Sequence, residues 1–430
     1  MAPHQERVCC MSFKLHRGRI YHGYIVIGGA TLVMITAWGT TRTFGVFLEP
    51  VLREFGWTRA VVSGAFTLAM VGMGVFGAVG GRITDRLGPK VVVIGCGVSL
   101  GCSYLLMSTI QTLWQLYVYY GLMVGIGMGV SSPMLSLGTR WFTRRRALMT
   151  GVLTAGGALG IMVFPFLFTL VIHTRGWRVA YLILGVMTLA LMITGALLVK
   201  RDPADMGLRP FGDKNGNSLN SQEGEKGASL RWAVGTRQYW LLSLVFSCDM
   251  FLMHVVSVHI VIHAIDQGIS ASNAASVLSV SAGISLVARV AIGNVADRIG
   301  CKKTLVTCLI LSEIAFAYLL LAKGLWMLYV FGVIFSFGLW ATGGLVPAIA
   351  AELYGLRTIG TIYGSIAIGG SAGGAFGPML VGYLYDVTGS YQLGFVLCLL
   401  VSTTSLIALL MVKPMQNKDL PFSQRSAQSY

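Results

Sequence analysis

Apolar runs of about 20 residues recur along this chain and constrain its fold more than any other feature. That length lets an α-helix cross the hydrocarbon core of a bilayer, where the backbone must satisfy its own hydrogen bonds. Charged residues make up only 11% of the chain, against about a quarter in soluble proteins. We therefore predict twelve membrane-spanning helices, at residues 23–47, 60–80, 91–109, 112–134, 148–171, 178–199, 239–263, 273–294, 304–322, 325–347, 360–384 and 391–412.

A polar segment separates the sixth apolar run from the seventh. It covers about 200–237 and is rich in Gly, Asn, Ser, Asp and Lys, which is typical of a flexible linker. The predicted fold class is therefore all-α integral membrane, with two pseudo-symmetric six-helix bundles. The expected units are an N-terminal bundle at 1–199, the linker at 200–237, a C-terminal bundle at 238–413 and a tail at 414–430.

The positions of Lys and Arg predict the orientation of the chain. If both termini and the linker share one side of the membrane, that side carries 25 of these residues and the other carries 5. Because cytoplasmic loops are enriched in Lys and Arg, we expect both termini in the cytoplasm. The net charge of +16 is concentrated in these loops, which argues against nucleic-acid binding. The first 20 residues contain no apolar core of the signal-peptide type, so we expect no cleaved signal. We expect a multi-pass protein of the plasma membrane, or of the inner membrane in a bacterium.

Both halves contain the same motif, Gly-x-x-x-Asp-Arg-x-Gly, after their second predicted helix. The two copies are 212 residues apart. We predict that they form a conformational latch, whose members are Gly81, Asp85, Arg86, Gly293, Asp297 and Arg298. The alternative is a plain charged turn that sets the topology of the chain. Two halves that repeat in the same orientation imply a pseudo-two-fold axis along the membrane normal, with a substrate site between the halves near mid-membrane.

At this doubled motif the chain resembles the major facilitator superfamily, and within it the monocarboxylate transporter family. Three segments support the second resemblance: Val287-Ala288-Arg289 with Gly293, Arg42-Thr43-Phe44-Gly45-Val46-Phe47, and Trp141-Phe142-Thr143-Arg144-Arg145-Arg146-Ala147. The resemblance implies a secondary active transporter that moves small monocarboxylates such as lactate or pyruvate by alternating access, with proton symport. The closing Leu384-Tyr385-Asp386 segment is also common in the related oxalate–formate antiporter group, so organic anion exchange is the alternative.

Arg289 is the residue that this resemblance assigns to the substrate carboxylate. It lies in an apolar helix, roughly 12 Å from the charged turn at Asp297. Burying its guanidinium costs at least a few kcal/mol, so an anion of the ligand or of the protein must meet it. Two parallel hydrogen bonds suit a carboxylate. The further substrate-binding candidates are Ser285, Arg42, Trp340 and Tyr363.

The chain departs from both family patterns. Ser285 stands where the monocarboxylate transporters have an aspartate, and Arg42 replaces a lysine. The lysine that the oxalate–formate group has in its eleventh helix is missing, since residues 363–382 contain no Lys or Arg. A single strong cation deep in the membrane would favour a substrate with one carboxylate. Arg42, which we place near the outer end of the first helix, either attracts anions or reaches the outer headgroups.

With Ser285 in place of the aspartate, proton coupling needs another carrier. Asp249 is the first candidate. It would form an ion pair with Arg289 when no substrate is bound, and substrate would compete with it for the arginine. A permanent counter-ion for Arg289 is the alternative. His254 and His259 are further candidates because imidazole titrates near physiological pH, although each also suits helix packing. Glu313 is interpreted as structural.

No cofactor or metal is expected from the sequence. We find no metal-ligand cluster, nucleotide loop or nucleophile–base pair in the loops, so the protein is not predicted to be an enzyme. A non-transporting membrane sensor is a remote alternative, because no large soluble domain accompanies the helices. The expected partners are monocarboxylate anions, protons and the lipid bilayer, and the chain is expected to function as a monomer.

Overall fold

The computed structural model describes residues 21–212 and 228–413. Twelve long helices dominate this part of the chain, and we number them α1–α12. Their bounds are α1 His22–Phe55, α2 Arg59–Leu87, α3 Pro89–Met107, α4 Leu113–Trp141, α5 Arg146–Arg175, α6 Trp177–Leu198, α7 Arg237–Asp266, α8 Ala271–Ile299, α9 Cys301–Leu319, α10 Leu325–Tyr354, α11 Ile359–Thr388 and α12 Gln392–Met411. Two short helices, Pro203–Met206 and Leu230–Val234, lie between α6 and α7.

The predicted all-α membrane fold is confirmed. Ten of the twelve helices in the described ranges are long and apolar enough to cross a bilayer. The other two are α9, which contains Lys302, Lys303 and Glu313, and the glycine-rich α11. The predicted tail at 414–430, the first 20 residues and the centre of the linker, 213–227, lie outside the described residues.

Three of the long helices are interrupted along their length. Helix α1 breaks at Thr43 into two α-helical segments, and α4 contains the π-helical segment Tyr117–Val124. Helix α10 passes through the π-helical segment Ser336–Trp340 and then a 3-10 turn. Irregular backbone at membrane depth is tolerated where protein buries it or where it lines a cavity. The breaks in α1 and α10 lie beside the cavity described below.

The length of α1 corrects the predicted position of Arg42 along the helix. The sequence predicts a helix over 23–47 with Arg42 near its outer end. Instead, the helix continues through its second segment to Phe55. Arg42 is therefore roughly 20 Å, at 1.5 Å per residue, from the end of the helix. Hydropathy alone missed this extension, because Glu49, Arg53 and Glu54 interrupt the apolar run.

Two helix pairs join the halves. Helix α2 packs against α11, and its pseudo-equivalent α8 packs against α5. Both contacts are close because the motif glycines have no side chain. A Cβ atom on Gly81 would overlap the carbonyl oxygen of Gly360, and one on Gly293 would lie 2.6 Å from the carbonyl oxygen of Ala147. Small residues let membrane helices approach in this way, and here they set how the two halves meet.

Both described ends of the linker are attached to loops of the bundle. The Phe211 backbone exchanges hydrogen bonds with Trp141 and Thr143, just before α5. The Ala228 backbone N–H donates to Tyr354, and its carbonyl accepts from Thr358, just before α11. The two described ends of the linker therefore bind equivalent loops, the one before α5 in the first half and the one before α11 in the second.

Candidate functional site

A cavity of about 130 Å³ lies between the two halves. Helices α1, α5, α7, α8, α10 and α11 line it, and most of the lining side chains are apolar or aromatic. Four lining residues can carry charge or titrate: Arg42, Asp249, Arg289 and Tyr363. Trp340 also lines the cavity. The structure thus brings together, in one place, four of the five residues predicted to bind substrate and one of the three predicted to carry the proton.

Arg289 reaches the cavity because α8 lies against α5. A Cβ atom on Gly151 of α5 would lie 2.6 Å from the Arg289 carbonyl oxygen, so a larger residue would separate these helices. The guanidinium donates from Nη1 to the carbonyl oxygen of Thr154 at 3.2 Å. Its Nε is buried and has no partner among the described residues. A guanidinium has five N–H donors. Arg289 therefore has donors left for an anion.

Arg42 provides a second positive charge in the same cavity. Its guanidinium lies 5.8 Å from the ring centroid of Trp38 and 6.0 Å from that of Phe66, within cation–π range. Met34, Trp38 and Arg42 are four residues apart and form one stripe of α1 that faces the cavity. The expectation of a single strong cation at the substrate site is therefore wrong, because Arg42 lines the same cavity as Arg289.

Asp249 does not form the ion pair with Arg289 that the sequence suggested. Its carboxyl group is directed toward α12, where Oδ1 accepts a hydrogen bond from Ser405 at 3.1 Å. The other oxygen, Oδ2, is buried without a partner among the described residues. Asp249 itself is 1% exposed. Because Arg289 bonds to α5 and Asp249 to α12, each charge lines the cavity without the other as its counter-ion.

Two aromatic side chains contribute to the cavity wall. Trp340 is buried, and its indole Nε1 has no partner among the described residues, so it is a further donor beside the cavity. The Tyr363 ring packs edge-on to Phe246, with their centroids 5.9 Å apart. Both positions are consistent with the predicted role in substrate binding, which stays a prediction.

The remaining candidates lie outside the cavity lining. Ser285 is buried, and its hydroxyl donates to Ala282 in its own helix. His254 bonds through Nδ1 to the Met250 carbonyl. Both ring nitrogens of His259 are engaged, one with the Tyr391 hydroxyl and one with the Pro378 carbonyl. These contacts favour packing roles for Ser285 and the two histidines.

The two motif aspartates each bind the start of a helix in the opposite half. Asp85 accepts from the backbone N–H and the hydroxyl of Thr361, at 2.9 and 2.8 Å, at the start of α11. Asp297 accepts from the backbone N–H groups of Ala147 and Leu148, both at 2.9 Å, at the start of α5. Unsatisfied N–H groups and the helix dipole favour a carboxylate there. We call the end of the bundle that holds both contacts the latch face.

The cation that pairs with Asp85 is not the one in its motif. Arg86 and Arg298 are exposed, whereas Arg140 of α4 is 5% exposed and donates to Asp85 Oδ1 at 2.8 Å. Arg140 also reaches Asp202, at 3.2 Å, just after α6. In the sequence, Arg140 lies between the predicted helices at 112–134 and 148–171, so it was expected in a loop.

Gly293 offers a direct test of the latch face. In Gly293→Ala the new methyl group would meet Ala147 and Leu148, and overpacking of this kind costs about 1–3 kcal/mol, so the closed latch face should open more often. Cys301, buried beside Asp297, is a native reporter. We expect its labelling by a water-soluble thiol reagent, followed by mass spectrometry, to become about tenfold faster.

The matched control is Gly283→Ala on the same helix, where a Cβ atom would meet nothing within 4 Å. It should label at the rate of the unmodified protein. Equal labelling rates in Gly293→Ala and Gly283→Ala would show that the close approach at Gly293 does not hold the latch face closed.

Several residues of the site were missed by the sequence analysis. Trp38 and Thr154 line the cavity, and Ser405 bonds to Asp249. Trp38 had a usable signal, because it lies one helical turn before Arg42. Thr154 and Ser405 had none, since each meets its partner through helix packing across more than 130 positions of sequence.

Sequence comparisons place these observations among known proteins. The profile of the Major Facilitator Superfamily matches residues 29–293 and 240–428. Monocarboxylate transporter 13 of Rattus norvegicus is 30% identical over 383 residues, covering 87% of this chain and 85% of that protein. Monocarboxylate transporter 11 of Homo sapiens is 28% identical over 416 residues, with coverages of 87% and 79%. YhjX of Escherichia coli, an uncharacterized MFS-type transporter, is 25% identical over 350 residues, with coverages of 79% and 83%.

Solved structures show the same fold. The proton:xylose symporter XylE superposes with a TM-score of 0.77 at 14% identity and covers 94% of this chain and 98% of its own. The human organic anion transporter MFSD10 gives a TM-score of 0.71 at 16% identity, with coverages of 90% and 99%. At these identities the likeness speaks for the arrangement of helices and not for a shared substrate.

Proposed function

The chain belongs to the Major Facilitator Superfamily and is related within it to the monocarboxylate transporters, and we propose that it carries small monocarboxylate anions across the membrane together with protons. Its relatives are transporters and not enzymes. The observation on which the proposal rests is the Arg289 guanidinium, which lines a cavity between the two halves and whose buried Nε has no partner among the described residues. Such a group binds a planar carboxylate through paired hydrogen bonds.

Charge balance supplies the coupling in this proposal. The cavity holds two guanidinium groups, from Arg42 and Arg289, and one carboxyl group, from Asp249. An anion that enters among these groups cancels part of their positive charge. A proton that arrives at Asp249 then restores the net charge of the loaded cavity. The coupling therefore acts through the shared electrostatic field of the site and needs no direct Arg289–Asp249 pair.

In this proposal, alternating access depends on the latch face. We assign that face to the cytoplasm, because the loops beside it hold most of the Lys and Arg residues. With Asp85 and Asp297 both engaged, this is the state closed to the cytoplasm. Release of the two contacts lets the halves rock apart on that side. This orientation also puts both termini and the linker in the cytoplasm.

A second candidate function is exchange of organic anions of the oxalate or formate type. The specific observation in its favour is that Arg42 and Arg289 line the same cavity, so two guanidiniums are available to one dicarboxylate. Exchange requires anion on the opposite side of the membrane, whereas symport requires a pH gradient. The two functions therefore predict different requirements for uptake.

The test is uptake of radiolabelled pyruvate, L-lactate, formate and oxalate into proteoliposomes. Proton symport predicts that pyruvate or lactate accumulates when the outside is acidic, into vesicles that contain no anion substrate. We expect initial rates at least about tenfold above those of protein-free vesicles. Uptake that needs internal anion and ignores the pH gradient would establish exchange instead. Absence of uptake of all four acids under both conditions would contradict both functions.

A further inference from the structure

The bond between Asp249 and Ser405 connects the cavity to a helix behind its wall. Asp249 lines the cavity from α7, whereas Ser405 lies on α12, which contributes no lining residue. Both side chains are buried, at 1% and 0% exposure. Burying an ionisable group inside a membrane protein costs free energy, so such a group is by default a candidate for a functional site. The serine hydroxyl bonds Oδ1 and leaves Oδ2 unpartnered within the described part of the chain.

Further polar groups lie in the same packed region. Ser402, one turn before Ser405 on α12, is fully buried with a hydroxyl that has no partner among the described residues. Cys308 of α9 lies close enough to Asp249 for electrostatic interaction. Ser402 and Ser405 lie on the same helix and are equally buried. Of these two serines, Ser405 is the one that donates a hydrogen bond to the Asp249 carboxyl group.

The titratable and charged groups around Asp249 come from several helices. Arg289 on α8, Arg42 on α1 and Tyr363 on α11 share the cavity with it. Cys308 on α9 and Cys248 on α7 complete the set. None of them makes a hydrogen bond to the carboxyl group, and within the described ranges the side chain that does so is Ser405.

We propose that Ser405 is a positioning residue that holds the Asp249 carboxyl group as the exchangeable proton site of the transporter. The inference rests on the proposed proton symport. A proton from water on one side of the membrane binds Oδ2 of the carboxylate, and the same O–H bond breaks when the proton leaves to water on the other side. The hydroxyl occupies Oδ1 as a donor, which directs the proton to Oδ2. A donor of this kind also favours the ionised carboxylate, which helps the proton to leave.

Infrared difference spectroscopy of the full-length protein in lipid vesicles tests this without a substrate. The carbonyl band of a protonated buried acid should titrate between about pH 4 and 10, and Asp249→Asn should remove it. In Ser405→Ala, loss of the donor should move the band midpoint upward by roughly one pH unit. Ser405→Thr keeps a hydroxyl and should restore the original midpoint. Ser402→Ala is the matched control and should leave the midpoint unchanged.

The outcomes separate this inference from the proposed function. A midpoint that does not move in Ser405→Ala, or that moves equally in Ser402→Ala, overturns the role of Ser405 even if uptake is proton-driven. The same holds if no band is lost in Asp249→Asn. If the uptake rate of the unmodified protein does not depend on the pH gradient, proton symport itself is overturned. If Ser405→Ala does not insert, Ser405→Cys replaces it, since a thiol is a weak donor and should give a smaller shift in the same direction.

Discussion

Replacement of Arg289 with alanine is expected to reduce monocarboxylate uptake at least about thirtyfold. Removal of one partner of a buried, hydrogen-bonded charge pair costs about 2–5 kcal/mol, and the substrate carboxylate would lose its paired donors. Arg42 offers charge but lies on another helix, in contact with Trp38 and Phe66. The measurement is the initial rate of radiolabelled pyruvate uptake at saturating and subsaturating concentrations.

Two further variants distinguish substrate binding from loss of the fold. Arg289→Lys keeps the charge but not the planar fork of donors, so affinity should fall more than maximal rate. Arg175→Ala removes an exposed arginine at the end of α5 and should transport normally. Labelling of Cys301 at the unmodified rate would show that Arg289→Ala is folded. Normal uptake by a folded Arg289→Ala protein would remove this residue from the substrate site.

Replacement of Asp249 with asparagine is expected to uncouple transport from protons. Asparagine has nearly the same shape and can still accept the Ser405 hydrogen bond, but its side chain cannot take up a proton in this pH range. Uptake driven by an acidic exterior should therefore fall to the rate seen without a gradient, a loss of about tenfold or more. Exchange between pyruvate on the two sides should continue, because the Arg289 site is intact.

Glu313→Gln is the matched control for this experiment. Glu313 is the carboxyl group in α9 with a buried oxygen that has no partner within the described ranges, and it does not line the cavity. Its replacement removes the same charge from the same half and should leave the pH dependence intact. Proton-driven accumulation that persists in Asp249→Asn, or that is lost equally in Glu313→Gln, would assign the coupling to another group.

The site shows how far local sequence information reaches. Arg289, Trp340 and Tyr363 were predicted beside a central cavity and do line it. Their roles in transport stay predictions. The Arg289–Asp249 pair was not found, because the apolar segments 239–263 and 273–294 contain one charged residue each and can be rotated about their axes in many ways. That rotation is set by side chains and glycines on neighbouring helices, and the hydropathy of either helix does not record it.

At the latch face, too, some residues could be predicted from the sequence and others could not. The repeat of Gly-x-x-x-Asp-Arg-x-Gly at a spacing of 212 residues identified Asp85 and Asp297 from the sequence alone. It did not identify Arg140, whose side chain binds Asp85 across 55 positions of the chain. Nor did it indicate that Arg86 and Arg298 would be exposed.

The sequence by itself determined the class of fold, the number of membrane helices and the family. Hydropathy and motif spacing are properties of contiguous residues, and the bilayer acts on each segment directly. Only the tertiary structure decided that Arg42 and Arg289 share one cavity, that Asp249 bonds to Ser405, and that each latch aspartate binds a helix of the opposite half. These partners depend on how closely the helices pack and how each is rotated, and contacts between distant parts of the chain set both.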